Sequence, residues 1–390
     1  MKKSLFSLEP RPTKDSVIYA KISGHEFKKV HWYKKNKLYF QIECNYCDKK
    51  YVTLLKSHPS QSMDFYPFQL LYSKIQAITD DPRFPIRIRF YDYVNNLKEG
   101  KIVGECNTDI ETLKNSVGKI IPITKTKKDG EKVDAGSFRV DSFRISELIP
   151  FMEYVKYGFK FNLAVAVDFF YENAKFYKKL HKEGEINGYG QVLSAALNVL
   201  MPYSFGDGVA SYALGYRYKT KFRLCGNLTL DDSELFLHGI DEVVSTYRKS
   251  VQKVTFEGAS WFTPMIEETT ELAKINMKNF KAYTIVAVIT CGKVSDQLQT
   301  IESLNKASFA PVSYIFINIS PYNEMEWIDA DDKPLAGSET VQARDCVDYI
   351  FYKDIVDKNL SLENEMMKEI PNHVAVWANI NNIRPEFFAS

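Results

Sequence analysis

Residues 161–173, FNLAVAVDFFYEN, constrain the fold more than any other stretch of this 390-residue chain. Phe161, Leu163, Ala164, Val165 and Val167 make a run with apolar side chains on both sides, as in a strand buried at the centre of a parallel sheet. The run ends in Asp168. A carboxylate at the carboxyl end of such a strand stands where open α/β sheets bind their ligands. Two readings follow for Asp168: a metal or anion site, or a cap on the next loop.

A chain of this length exceeds one ordinary core, so two domains are expected. Its 45% hydrophobic and 26% charged residues are those of a globular protein. No apolar run reaches the roughly 18 residues of a membrane span, and MKKSLFSLEPRPTKDS has no signal-peptide core. Six scattered cysteines (Cys44, Cys47, Cys106, Cys225, Cys291, Cys346) fit reduced thiols, so a cytoplasmic protein is expected, either peripheral to a membrane or associated with the cytoskeleton. The net charge of +2 is unevenly divided. Residues 1–150 hold 27 Lys and Arg against 18 Asp and Glu, a balance of +9, and the remainder holds 24 against 31, a balance of −7. The first part therefore seeks an anionic partner. Membrane headgroups, nucleic acid and an acidic protein all carry that charge; a membrane or acidic protein surface is the expected partner, and nucleic acid is not.

The first part reads as short strands: 17–22, 37–44, 50–55 and 85–93, the last alternating Ile86, Ile88 and Phe90 with Arg87, Arg89 and Tyr91. Without an amphipathic helix, an antiparallel sandwich is the economical arrangement. From about residue 155, apolar strands alternate with helical periods. Strands are expected at 208–218, 282–290 and 311–319, with helices at 190–201, 234–254, 262–280 and 295–308. A last helix at 361–380 must bend or break near Pro371. That alternation means a doubly wound parallel sheet.

FKFNLAVAVDFFYEN, GASWFTP (258–264), VITCGKVSD (288–296), ISPYNEMEWIDADD (319–332), ARDCVDYIFY (343–352) and KEIPNHVAVWANINNIRP (368–385) together resemble the copine family, in order and spacing. KISGHEFKKVHWYKKNKLYFQI (21–42) and PIRIRFYDYVNNLKEGKIVGE (85–105) look like the opening and third calcium loops of a C2 domain. The resemblance implies a multidomain chain: an all-β antiparallel C2-type sandwich at 1–154, then an α/β doubly wound, Rossmann-like von Willebrand factor A domain at 155–390. Copines usually carry two C2 domains; this chain has room for one.

In the A-domain pattern, the strand aspartate, two hydroxyls, a second-loop threonine and a third-loop aspartate hold magnesium. Here Asp168 is retained, Phe170 and Glu172 stand at the hydroxyl positions, Ser260 stands in for the threonine, and Cys291 replaces the third-loop aspartate. A thiol is a poor partner for a hard cation, so the resemblance yields a degenerate metal site of Asp168, Glu172 and Ser260, with no cofactor expected. Asp296 reads as a helix N-cap. At the C2 calcium positions stand His31, Lys37, Asp92, Val94 and Lys101, where about five aspartates would surround calcium, so calcium is not expected either. Lys28, Lys29, Lys34, Lys35 and Lys37, with Arg87 and Arg89, make a basic surface for an anionic membrane or protein. The alternative is a merely solvated lysine-rich loop. Phe169, Phe170, Tyr171, Trp261 and Cys291 border the Asp168 rim as partner anchors, or else pack inward. The spacing of Cys44 and Cys47 suits zinc, but a hairpin turn explains it better. With no paired acid and base, phosphate loop or activated nucleophile, the expectation is a non-enzymatic adaptor or scaffold binding protein partners and no small-molecule substrate. The alternative is a constitutive component of a cytoskeletal or ciliary, microtubule-associated assembly.

Overall fold

The structure, a computed structural model, describes residues 16–28, 37–47, 50–57, 59–65, 67–76, 78, 81, 83–93, 100–147, 149–169, 180–181, 188–232, 234–256, 260–329, 335 and 342–389. The chain divides into two compact units, Met1–Ile149 and Pro150–Ser390. The break falls five residues before the position read from the sequence. The helix Phe151–Lys156 belongs with the second unit, where Tyr154 donates a hydrogen bond to the Ile383 carbonyl at 3.3 Å and meets the Phe388 ring edge-on.

The first unit holds eight strands: β1 (Ser16–His25), β2 (Leu38–Cys47), β3 (Lys50–Lys56), β4 (Phe68–Leu71), β5 (Ile86–Asp92), β6 (Ile102–Thr108), β7 (Ile120–Thr126) and β8 (Lys132–Glu147). They follow the order β3-β2-β5-β6-β7-β8-β1-β4, and every pairing is antiparallel. Leu54 of β3 and Leu70 of β4 lie at opposite edges yet share one core with Phe40, Phe90 and Phe138, so the sheet turns back on itself around its apolar face. Alternation explains the burial: Ile86, Ile88 and Phe90 point inward while Arg87 and Arg89 are half-buried on the other side. Cys47 pairs with Lys50 across the β2–β3 hairpin, as its turn-like sequence suggested. The sequence reading missed β4 and β6 to β8, whose mixed composition carries little periodicity.

The second unit is α/β. Its strands are β9 (Lys160–Asp168), β10 (Ser204–Tyr218), β11 (Lys221–Asn227), β12 (Phe236–His238), β13 (Ala282–Thr290), β14 (Val312–Asn318) and β15 (Val347–Phe351). Across the sheet they run β11-β10-β9-β13-β14-β15, with β12 also on β10. The four pairings from β10 to β15 are parallel, whereas β11 and β12 pair antiparallel with β10. The central strands β13 and β14 are buried at every residue, because helices cover both faces. Helices Tyr189–Leu200, Thr263–Phe280 and Gln297–Ala307 stand close to their expected places. The last helix is interrupted at Glu369, giving Leu362–Lys368 and Ile370–Ile380, because Pro371 cannot supply an amide inside a continuing helix. The expected helix at 234–254 begins later than its periodicity implied. Phe236–His238 extends the sheet, and Gly239, at φ 76°, makes the turn into helix Gly239–Val251.

Candidate functional site at the carboxyl end of the parallel sheet

Asp168, Thr290 and Asn318 end three adjacent parallel strands and are all buried. Asp168 Oδ2 accepts from Ser260 Oγ at 2.6 Å and from Thr290 Oγ1 at 2.9 Å, and the Cys291 thiol approaches it at 3.9 Å. Thr290 works as a relay, because its hydroxyl also accepts from the Gly292 amide at 3.2 Å. Gly292 is required there. Its φ is 85°, and a Cβ would stand 2.5 Å from Asn318 Nδ2. Asn318 in turn fixes the next loop, donating to the Tyr322 carbonyl at 2.9 Å and accepting from the Ser320 amide at 2.9 Å.

A second carboxylate ties the same loops together. Asp296 occupies the N-cap position of helix Gln297–Ala307, as the sequence suggested, but its side chain serves a different helix. Its two oxygens accept from the backbone amides of Phe262 at 3.1 Å and Thr263 at 2.9 Å, at the start of helix Thr263–Phe280. Those amides have no intrahelical partner, and an anion at that end also meets the positive pole of the helix dipole. The Thr300 hydroxyl adds a third bond at 3.1 Å. With the Ser295 amide donating to the Ser260 carbonyl at 2.9 Å, loops 260–263 and 291–296 are cross-linked at two levels.

The structure therefore brings Asp168, Ser260 and Cys291 together with Thr290, and ties their loops through Asp296. Thr290 escaped notice because its hydroxyl closes an otherwise apolar strand. Phe170, Tyr171 and Glu172 lie outside the described residues. Among the described residues, no cluster of three or more His, Cys, Asp and Glu could hold a metal ion. Among the described residues the donors gathered at this point are the Asp168 carboxylate, two hydroxyls and a soft thiol, and the thiol is a poor match to the hard, octahedral shell of magnesium.

The expected rim also changes. Phe169 is fully buried: its amide donates to the Leu214 carbonyl at 2.8 Å, and its ring lies parallel to Tyr247 beside His181. His181 stacks on Tyr189 and shares a 2.8 Å hydrogen bond with the Tyr247 hydroxyl, and burial pushes its pKa down to about 3. Cys291 is likewise buried. Trp261 remains outward at 36% exposure, and Leu298 and Tyr322, which the sequence reading did not single out, are more exposed still.

In the first unit, the two arginines expected to face an outside anion face glutamates instead. Arg87 Nε donates to Glu43 Oε2 at 2.7 Å with its guanidinium over the Tyr51 ring, and Arg89 Nε donates to Glu105 Oε2 at 2.8 Å. The cause is register: Glu43 stands opposite Arg87, and Glu105 opposite Arg89. Lys28 is exposed and pairs with Asp134 at 3.1 Å, and Lys37 lies 4.9 Å over the Tyr93 ring. Lys29, Lys34 and Lys35 lie outside the described residues. Of the calcium positions, Asp92 is buried and its amide donates to the Lys101 carbonyl, while the Lys37 carbonyl accepts from the amide of Tyr93 beside it; His31 and Val94 lie outside the described residues.

An antiparallel β unit followed by an α/β unit with a buried aspartate and its hydroxyl donors at the strand ends defines a two-domain class. The copine family model matches residues 179–386, more than half of the chain, and the chain belongs to that family. Among curated proteins, Copine-D of Dictyostelium discoideum is 26% identical over 378 residues, covering 89% of this chain and 71% of that protein. Protein BONZAI 1 of Arabidopsis thaliana is 25% identical over 315 residues, covering 77% and 54%. The chain spans about half the length of BONZAI 1 and of Copine-A of Dictyostelium discoideum, of which it covers 52%. Among solved structures, BON1-C2B aligns with a TM-score of 0.31 at 13% identity, over 34% of this chain and 93% of that one. Manganese-loaded Plasmodium vivax TRAP protein aligns with a TM-score of 0.31 at 14% identity, over 51% and 71%. Among the described residues no helix is long and apolar enough to cross a membrane.

Proposed function

We propose that the chain is a non-enzymatic copine-type adaptor. Its first unit is a C2-type sandwich that docks on an anionic membrane or acidic protein surface without calcium. Its second is a von Willebrand factor A-type domain whose metal site has become a hydrogen-bonded knot. The observation that carries this reading is Asp168 Oδ2, which gathers the Ser260 and Thr290 hydroxyls at 2.6 and 2.9 Å with Cys291 beside them. Those hydroxyl protons meet the carboxylate's charge where a cation would otherwise do so, and Cys291 supplies no second carboxylate. A protein partner is then recognised by surface complementarity, with Trp261, Leu298 and Tyr322 as exposed anchors beside the knot. Calcium independence of the first unit is supported by Lys37 and Lys101, which stand with Asp92 at positions where calcium-loop aspartates would be expected, the Lys101 carbonyl accepting from the Asp92 amide at 2.9 Å. Thermal unfolding followed while magnesium, manganese or calcium is titrated tests the proposal. An unchanged melting temperature is expected; a rise that saturates with metal and disappears in Asp168→Ala would overturn it.

A further inference from the structure

The opposite end of the same sheet carries a feature that the Asp168 knot does not involve. Three phenylalanines from three separate elements stand outward there: Phe205 at the start of β10, Phe280 closing helix Thr263–Phe280, and Phe387 in the 3-10 turn Pro385–Phe388. They are 42, 53 and 41% exposed, far more than rings recruited to a core. The patch is continuous. Phe205 and Phe280 have ring centroids 5.9 Å apart, Lys160 Nζ lies 5.1 Å over the Phe205 ring, and Lys281 Nζ lies 5.5 Å over the Phe387 ring.

Charge separates the candidate occupants. The second unit is acidic overall, at −7 for residues 151–390, yet Lys156, Lys160, Lys278, Lys281 and Arg384 lie at this end with Glu153, Asp207 and Glu386 among the described carboxylates there, and Asp207 pairs with His238 at 3.2 Å. Glu153 is spent on Lys156, at 2.6 Å. Among the described residues, neither Lys160 nor Lys281 has a carboxylate partner. A lysine over a phenylalanine ring keeps its ammonium at the outer margin of an apolar surface, the arrangement that snorkelling side chains adopt at a membrane interface. Bare aromatic rings fit the boundary between headgroups and acyl chains, and ammonium groups without a described carboxylate partner, Lys281 donating to the Ala389 carbonyl at 3.4 Å, fit the phosphates and carboxylates above it.

We propose that this aromatic and lysine patch is a second membrane contact, on the α/β unit, that takes an anionic lipid surface. It is independent of the first unit's basic segment and of the state of Asp168. The test uses the full chain and vesicles of phosphatidylcholine with phosphatidylserine. The double variant K160E/K281E should bind at least about 30-fold more weakly, from roughly fivefold for each lysine removed. F205S/F280S should also lose binding, while both variants keep the melting temperature of the unsubstituted chain because every substituted side chain is at the surface. F280W should gain tryptophan quenching by lipids brominated near the headgroup, beyond that of the four native tryptophans. Vesicle binding unchanged in both double variants, or no added quenching in F280W, would overturn the proposal. So would unchanged vesicle binding with loss of an acidic protein partner, which would assign the patch to that partner instead.

Discussion

Removal of the donors to Asp168 should expose how much of the second unit's stability the knot carries. Ser260→Ala deletes the 2.6 Å donor, and Thr290→Val deletes the 2.9 Å donor while preserving the β-branched shape suited to the end of β13. Both hydroxyls and Asp168 are fully buried, so no bulk water replaces what is lost. A hydrogen bond to a charged group contributes about 1.5–3 kcal/mol, and each single variant should lose about that much. The double variant should lose less than the sum. Both donors converge on one oxygen, so the two contributions are coupled rather than independent. Urea denaturation of the full chain, followed by a signal from the second unit, measures all three values, because two units need not unfold together. Losses below about 0.5 kcal/mol in both single variants, or strict additivity in the double, would refute the idea that these hydroxyls balance the Asp168 charge.

Asp296→Ala removes the acceptor for two backbone amides and one hydroxyl, and should destabilise the second unit by about 2–4 kcal/mol; faster amide exchange at Phe262 and Thr263 is the local readout, and unchanged exchange would contradict the assigned cap. Acid should act through two histidines whose ring nitrogens are shielded from water, the half-buried His181 and the buried His373. Burial lowers the His181 pKa to about 3, and burial with the nearby Arg344 guanidinium lowers that of His373 to about 3. The unfolded chain takes up these protons below pH ~6.5, so stability present above that value is lost as pH falls toward 3, at about 2 kcal/mol per histidine by pH 5. Denaturation at pH 7 and pH 5 should show that slope, and His181→Gln and His373→Gln should each flatten it; a slope unaltered in either variant would remove that histidine from the account.

The parts of the fold most legible in the sequence were those whose side chains all face one kind of environment. Strand β13 matches its expected range, 282–290, because every residue in it is buried. The break at Pro371 was legible because one residue forbids the alternative. Hairpin strand β11 escaped because it is an edge strand with a mixed, half-exposed pattern. At the site, Asp168, Ser260 and Cys291 were readable from a resemblance in sequence order. What Asp296 does was not, since its partners lie 33 and 34 residues away and the pairing exists only once two loops are side by side. The arginines of β5 misled for a related reason. Their alternation was visible, but the glutamates opposite them are fixed by register between strands, which no single stretch encodes.

Strand β9 begins at Lys160 and ends at Asp168. Eight steps of extended chain separate these residues by about 26 Å, and hydrogen bonding to β10 and β13 on either side prevents the strand from shortening. It is thus a spacer of fixed length. Were a lipid surface to hold the lysine end, a protein seated over the aspartate end would be carried at a set height above the bilayer, beyond the headgroups and within reach of other membrane-borne molecules.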